Sequence, residues 1–297
     1  MKSCYYEHMI QRPTVKHYLL YVCCIGCGVF LFLTSTLAPQ QNTLHTQTSE
    51  AALFTKKIEK SYTSYILKTD YPITEINKLV GEENAHNVFA INRIDTAHVR
   101  KGRTLVIPTT FDDTSDFFMP ETIKSASKIP KIIFVSQEMQ SFGAYEYGKL
   151  IRSGPVSSGK KLTPTPSKLY FTNWKGRRIV STVKDEWILN WNFNIDNLKG
   201  ISLHQFALPG YPASHSCVRL YEADAQWIYN WASMWKLDDK ERTVITQGTP
   251  VIIFGYYKFT KIAPWKELTT NPDATYISSS TINYYIKKYS EQLYYDN

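Results

Sequence analysis

Of the five cysteines in the 297 residues, Cys4, Cys23, Cys24 and Cys27 lie in or before an apolar N-terminal run. Cys217 is therefore the only one in the part able to fold as a soluble domain, and it has no disulfide partner there. A lone thiol can be an inert small hydrophobe. The neighbours of Cys217 suggest otherwise: Ser214, His215, Ser216 and Arg219 supply small polar groups, an imidazole and a cation, a setting that favours a thiolate. A second imidazole, His204, lies a short way upstream. A thiol, a base and a group that orients the base make a nucleophilic centre. Zinc is the competing use of Cys217, His204 and His215, but no paired CxxC or HExxH spacing accompanies them, so no metal is expected.

These residues need elements to hold them. After Leu220 the run Glu222–Trp231 has acids in its first turn and Ala223, Trp227 and Trp231 on one helical face. That places Cys217 on a loop feeding a helix N-terminus, whose partial positive charge is expected to lower the thiol pKa. Backbone N–H groups around Ser216 and Cys217 are the candidate donors for an oxyanion. Arg219 suits a carboxylate, either that of a substrate or that of a salt bridge fixing the loop. Strand patterns occupy 129–136, 140–148 and 149–157, then 170–172 and 179–181 about a turn at 175–178. In 187–193 the alternation of Trp187, Leu189, Trp191 and Phe193 predicts a strand with one aromatic face. Ile201, Ser202, Leu203 and His204 form a short strand carrying the imidazole, and 249–257 is a buried strand that closes the sheet. The Tyr-rich tail is helix-prone over 281–292 and is assigned no chemistry.

His204 followed by Pro209-Gly210-Tyr211-Pro212-Ala213-Ser214-His215-Ser216-Cys217-Val218-Arg219-Leu220 resembles the active-site signature of the L,D-transpeptidase (YkuD-type) catalytic domain. That signature is a His on a strand, a loop, then Ser/Thr-His-Gly-Cys-Val/Ile-Arg/Asn. The likeness begins near 129 and continues through Gly159 and Thr163-Pro164-Thr165-Pro166. Two departures stand out: Ser216 replaces the usual Gly, and the usual Gly near Lys168 is absent. If the family backbone has positive φ at Ser216, that residue is strained, because only Gly takes such angles freely.

The resemblance implies a mainly β catalytic domain, a β-sandwich with flanking helices. Cys217 is then the nucleophile and His204 its base, with the Gln205 carbonyl accepting the other ring N–H. Ser214, Ser216 and His215 orient the loop or contact substrate, and Arg219 binds a carboxylate. The implied reaction is attack on the carbonyl at the L-centre of a diaminoacyl residue in a peptidoglycan stem, release of D-Ala, and transfer of the acyl group to an amine. It needs no cofactor. Water as acceptor would make an L,D-carboxypeptidase, and a non-catalytic wall-binding protein is the reading from another class.

The rest of the chain fits an envelope setting. A net charge of +8 suits an anionic polymer as neighbour, while 43% hydrophobic and 14% aromatic residues suffice for a core. Cations are scattered and no nucleic-acid-binding motif occurs, so nucleic acid is not an expected partner. Residues 18–37 carry no charge and are long enough to span a bilayer as a helix. Lys2, Arg12 and Lys16 precede them and no Lys or Arg follows before Lys56, which leaves the N-terminus cytoplasmic and the remainder in the periplasm or otherwise outside the membrane. The segment is an uncleaved anchor or a cleaved signal peptide.

The expected plan is therefore a cytoplasmic 1–17, the apolar 18–37, a linker over 38–54, a small module over 55–110, a linker over 111–127, the catalytic domain over 128–260 and a tail over 261–297. In the module, Ile91-Asn92-Arg93-Ile94 and Lys101-Gly102-Arg103-Thr104-Leu105-Val106-Ile107-Pro108 resemble the second half of a LysM unit, a βααβ glycan-binding module. The usual Gly-Asp-Thr-Leu turn is missing near Lys68-Thr69-Asp70, so glycan binding and a spacer role both stay open. The expected partners are peptidoglycan stem peptides, glycan strands if the module binds them, and the inner membrane.

Overall fold

The computed structural model describes residues 61–111, 119–181 and 184–295. The apolar run at 18–37 and the linker after it lie outside them. Among the described residues no helix is long and apolar enough to cross a membrane. The architecture is mainly β with flanking helices, and the described residues form one compact unit.

The first elements are β1 (Tyr62–Ile66), α1 (Pro72–Val80), α2 (Glu82–Ile91) and β2 (Thr104–Pro108), with β1 and β2 antiparallel and Tyr65 opposite Leu105. Pro72 starts α1 where no backbone N–H is needed, and Gly81 at φ 86 turns the chain between the helices. Ile76, Val88, Ile94 and Leu105 are fully buried between the helices and the two-stranded sheet. Asn92 locks the unit: its Nδ2 donates to the Val88 and Val106 carbonyls at 2.8 and 2.7 Å, and its Oδ1 accepts the Val106 N–H at 2.9 Å.

The larger part opens with β3 (Lys131–Ser136), β4 (Ser141–Glu146), β5 (Lys149–Pro155), β6 (Leu169–Phe171), β7 (Lys175–Val180), β8 (Ile188–Asp196) and β9 (Ile201–Gln205). It continues through β10 (Val218–Leu220), α3 (Glu222–Trp231), a small hairpin of β11 (Lys236–Leu237) and β12 (Val244–Thr246), and β13 (Pro250–Phe254). One sheet has the order β5-β4-β3-β13-β6, and the other β10-β9-β8-β7. Side chains alternate across β3. Ile133 and Val135 face a core shared with Phe193, Leu203 and Val218 of the second sheet and Ile228 of α3. Ile132 and Phe134 face the opposite way, against Trp265 and the C-terminal helices α4 (Ser279–Lys288) and α5 (Ser290–Tyr295), through Ile282, Ile286 and Leu293. The five-stranded sheet is thus covered on both sides. Met119, Ile123 and Ala126, at the end of the segment expected as a linker, pack into that second core.

The βααβ unit packs against the larger part through named bonds. Arg93 is buried, its Nε donating to the Met139 carbonyl at 3.1 Å and its guanidinium lying 5.0 Å from the Trp265 ring centre. Asp95 exchanges bonds with Leu208: its N–H donates to the Leu208 carbonyl at 3.0 Å and its Oδ2 accepts the Leu208 N–H at 2.8 Å. Arg103 Nη2 donates to the Pro209 carbonyl at 2.8 Å, and the Tyr221 hydroxyl donates to the Ile94 carbonyl.

The expected single aromatic face over 187–193 does not form. Opposite β9, residues Asn190 and Phe193 pair with Gln205 and Leu203, so β8 carries one extra residue there, and Trp191 has φ 53. This β-bulge reverses the alternation. Trp191 packs with Phe193 on the core side, 5.6 Å from the Tyr229 ring, while Trp187 and Leu189 share the other side with Asn192 and Asn194.

Candidate active site

The side of the second sheet that carries Asn192 opens into a cavity of about 140 Å³ whose lining includes His204, Ser214, His215, Cys217 and Arg219. Two parallel strands bring the key pair together. Arg219 of β10 is in register with His204 of β9, and Val218 with Leu203, so Cys217 enters at the level of Ser202. The thiol donates to the Gly200 carbonyl at 3.5 Å, and the Ser202 N–H is aimed at the sulfur.

His204 is 3% exposed. Its Nδ1 lies 2.9 Å from the Gln205 carbonyl oxygen, an acceptor only, so Nδ1 carries the ring proton and Nε2 keeps a lone pair. Burial, then the nearby Arg219 charge, pushes its pKa down to about 4, against the opposing effect of the Gln205 bond. Burial likewise pushes the Cys217 thiol up, and the Ser202 N–H and Arg219 only partly offset it. The expected lowering by a helix N-terminus does not occur: β10 stands between Cys217 and α3. At neutral pH the resting pair is a thiol beside an uncharged imidazole.

The loop before Cys217 is braced from one direction. The Ser214 N–H donates to Ser158, the Lys160 N–H donates to the Ser214 carbonyl at 2.9 Å, and the Ser214 hydroxyl donates to the Cys217 carbonyl. Ser216 has φ 81, the left-handed backbone in which a side chain is strained by about 1–2 kcal/mol. Its hydroxyl donates to the Thr163 carbonyl at 3.2 Å, and its own carbonyl accepts from the Thr165 hydroxyl at 2.9 Å. Thr165 in turn accepts the Gly159 N–H at 2.9 Å, and a Cβ on Gly159 would stand 2.3 Å from the Thr163 carbonyl oxygen. The Thr-Pro-Thr-Pro element is the platform that holds Ser216 in its strained state.

His215 does not meet the thiol. Its Nε2 accepts from Lys160 Nζ at 2.9 Å and its ring tilts against Trp187 at 5.0 Å. Desolvation, followed by the charges of Lys160, Arg219 and Lys184, lowers its pKa. Arg219 Nη1 donates to the Ala207 carbonyl at 3.3 Å and the guanidinium lies 4.6 Å from the Phe206 ring centre. Among the described residues Arg219 makes no ion pair, so its charge faces the cavity uncompensated. The Gln205 side chain takes a bond from Asn190 Nδ2 at 3.2 Å, away from the chemistry. Sequence reading missed Asn192, Asn194 and Ser202 as lining residues, because the bulge that turns Asn192 inward leaves no mark in a regular alternation. Among the described residues no group of three or more His, Cys, Asp or Glu side chains could hold a metal ion.

A lone thiol, a buried neutral imidazole oriented by a carbonyl and an unpaired cation thus line one cavity on a mainly β scaffold. Residues 130–253 match the family model of the L,D-transpeptidase catalytic domain, YkuD. No curated protein matches the chain. Among solved structures, an L,D-transpeptidase from Mycobacterium smegmatis aligns at 17% identity and TM-score 0.34, covering 43% of this chain and 59% of its own. One from Xylanimonas cellulosilytica aligns at 20% identity and TM-score 0.41, covering 65% and 98%. One from Enterococcus faecium aligns at 20% identity and TM-score 0.33, covering 42% and 50%. The chain thus spans little more than half the length of the Mycobacterium and Enterococcus proteins.

Proposed function

We propose that the protein is a cysteine-dependent L,D-transpeptidase of the cell envelope. The single observation that carries the reading is the state of His204: Nδ1 is tied to the Gln205 carbonyl, leaving the unprotonated Nε2 lone pair in the same cavity as the Cys217 thiol. In the proposed reaction the carbonyl at the L-centre of a diaminoacyl stem residue enters beside the sulfur. His204 Nε2 takes the thiol proton as the S–C bond forms, and the carbonyl oxygen becomes an oxyanion received by the Ser216 and Cys217 N–H groups. The imidazolium returns the proton to the departing D-Ala amine, leaving a thioester on Cys217. An amine from a second stem then attacks, loses its proton to His204, and releases the crosslinked product with the thiol restored. Arg219 holds a substrate carboxylate and stabilises sulfur as it gains charge. No step calls for a metal or a cofactor.

In this reading the apolar segment 18–37 anchors the protein, and the LysM-like βααβ unit is a glycan-binding module or a spacer. Retention of the intact protein on purified peptidoglycan, lost on substituting exposed βααβ residues, separates those two roles. The reaction is tested by mass spectrometry of disaccharide tetrapeptides incubated with wild type and Cys217→Ala. Crosslinked dimers from the wild type alone are the expected result. Tripeptides without dimers assign water as the acceptor and make the protein an L,D-carboxypeptidase, and no change at all overturns the enzymatic reading in favour of wall binding.

A further inference from the structure

Asn192 is 1% exposed and lines the cavity, yet neither its Nδ2 nor its Oδ1 has a hydrogen-bond partner in the protein. Buried side-chain amides are almost always paired, so such an orphan calls for a reason. Its neighbour makes the contrast: Asn194 Oδ1, one pleat along β8, accepts from Asn173 Nδ2 at 3.0 Å. Nor is the inward aim of Asn192 a by-product of regular pleating. It depends on the bulge, where Trp191 at φ 53 turns into the core and its indole N–H reaches Glu222 Oε1 at 3.4 Å. A strained, bulged residue is retained only when its surroundings fix it, and such residues gather at functional sites.

The amide presents a donor and an acceptor side by side, the complement of the C=O and N–H of a peptide link. Charged groups already line the cavity at Arg219 and Lys199, so a neutral pair adds recognition of backbone rather than of charge. We propose that Asn192 binds a backbone amide of the donor stem peptide, fixing the strand of substrate that runs past Cys217. This rests on the stem-peptide reading above. It makes Asn192 a substrate-binding residue, distinct from the groups that move the proton.

The test is protection of Cys217 from iodoacetamide by disaccharide tetrapeptide, measured for the wild type and for Asn192→Leu as the ratio of alkylation rates with and without peptide. Thermal unfolding is measured on the same samples. The expected result is protection of the wild type, a rise of about tenfold or more in the half-protecting concentration for Asn192→Leu, and a melting temperature that is unchanged or higher, since an apolar isostere removes an unpaired buried amide. A purely structural asparagine would instead lower the melting temperature and leave protection intact. Equal protection of both proteins overturns the role of Asn192 and leaves the stem-peptide reading standing. Protection of neither overturns that reading, and the inference with it. Asn192→Ala replaces the leucine variant if the larger side chain prevents folding, with the same outcomes read the same way.

Discussion

Cys217 and His204 are both uncharged at neutral pH, and desolvation is the main reason in both cases. For His204 the folded pKa falls from its ordinary 6.5 to about 4. Above pH 6.5 folded and unfolded chains both hold a neutral imidazole. As pH falls through that value the unfolded chain takes up a proton that the folded one refuses, so stability is lost down to about pH 4. The loss amounts to about 3 kcal/mol. Urea unfolding at pH 7 and pH 4.5 should show it for the wild type, and a His204→Gln variant should lose less by a similar margin. For Cys217 the direction is upward, so iodoacetamide alkylation should be slow at pH 7 and still climbing where an ordinary thiol has levelled off. A plateau below pH 8 would contradict the raised thiol pKa. Ser216 gives a third expectation. Ser216→Gly relieves the left-handed strain but loses the bond to Thr163, two effects of about 1 kcal/mol each, so stability stays close to wild type. Ser216→Ala loses the bond without relief and should fall by about 1 kcal/mol in the same assay.

At the scale of elements, the residues of the candidate site could be named from the sequence, and the strands that aim them only in part. The acids at the start of Glu222–Trp231 marked α3 to the residue, because capping charge is a local property. The expected stripe was displaced around the helix: Ala223 is exposed, Trp227 and Trp231 are half-buried, and Ala225 and Ile228 meet the core. His204 on a strand was equally local. β10 was not: three residues of Val-Arg-Leu carry no periodicity, and their strand character comes from pairing in parallel with β9. Missing it led to the expectation of a thiol lowered by a helix end. The bulge in β8 was hidden for a different reason, since Trp187, Leu189, Trp191 and Phe193 alternate as a regular strand would and only pairing with β9 exposes the extra residue. The platform under Ser216 is likewise tertiary. Replacing Thr165 with valine keeps the volume but strands the Gly159 N–H and the Ser216 carbonyl, and should cost about 2 kcal/mol in urea unfolding. A change below about 0.5 kcal/mol would mean that the threonine hydroxyl does not brace the loop.

For the whole molecule, the connection that matters runs between the βααβ unit and the stretch joining His204 to Cys217. Asp95 grips both backbone groups of Leu208, and Arg103 holds the carbonyl of the next residue. The loop that presents Cys217 is therefore supported on one side by Thr163 and Thr165 and on the other by a unit remote in sequence. Asp95→Ala should slow tetrapeptide turnover without altering the fold of the sheets, a combination visible as lower activity beside an unchanged circular dichroism spectrum. This seam also bears on how such a chain can diversify. A wall-binding unit joined by a flexible tether can be exchanged between genes as a free cassette, whereas here a foreign unit would arrive without the carboxylate that Leu208 requires. The two halves are fitted to each other, and their histories must change in step.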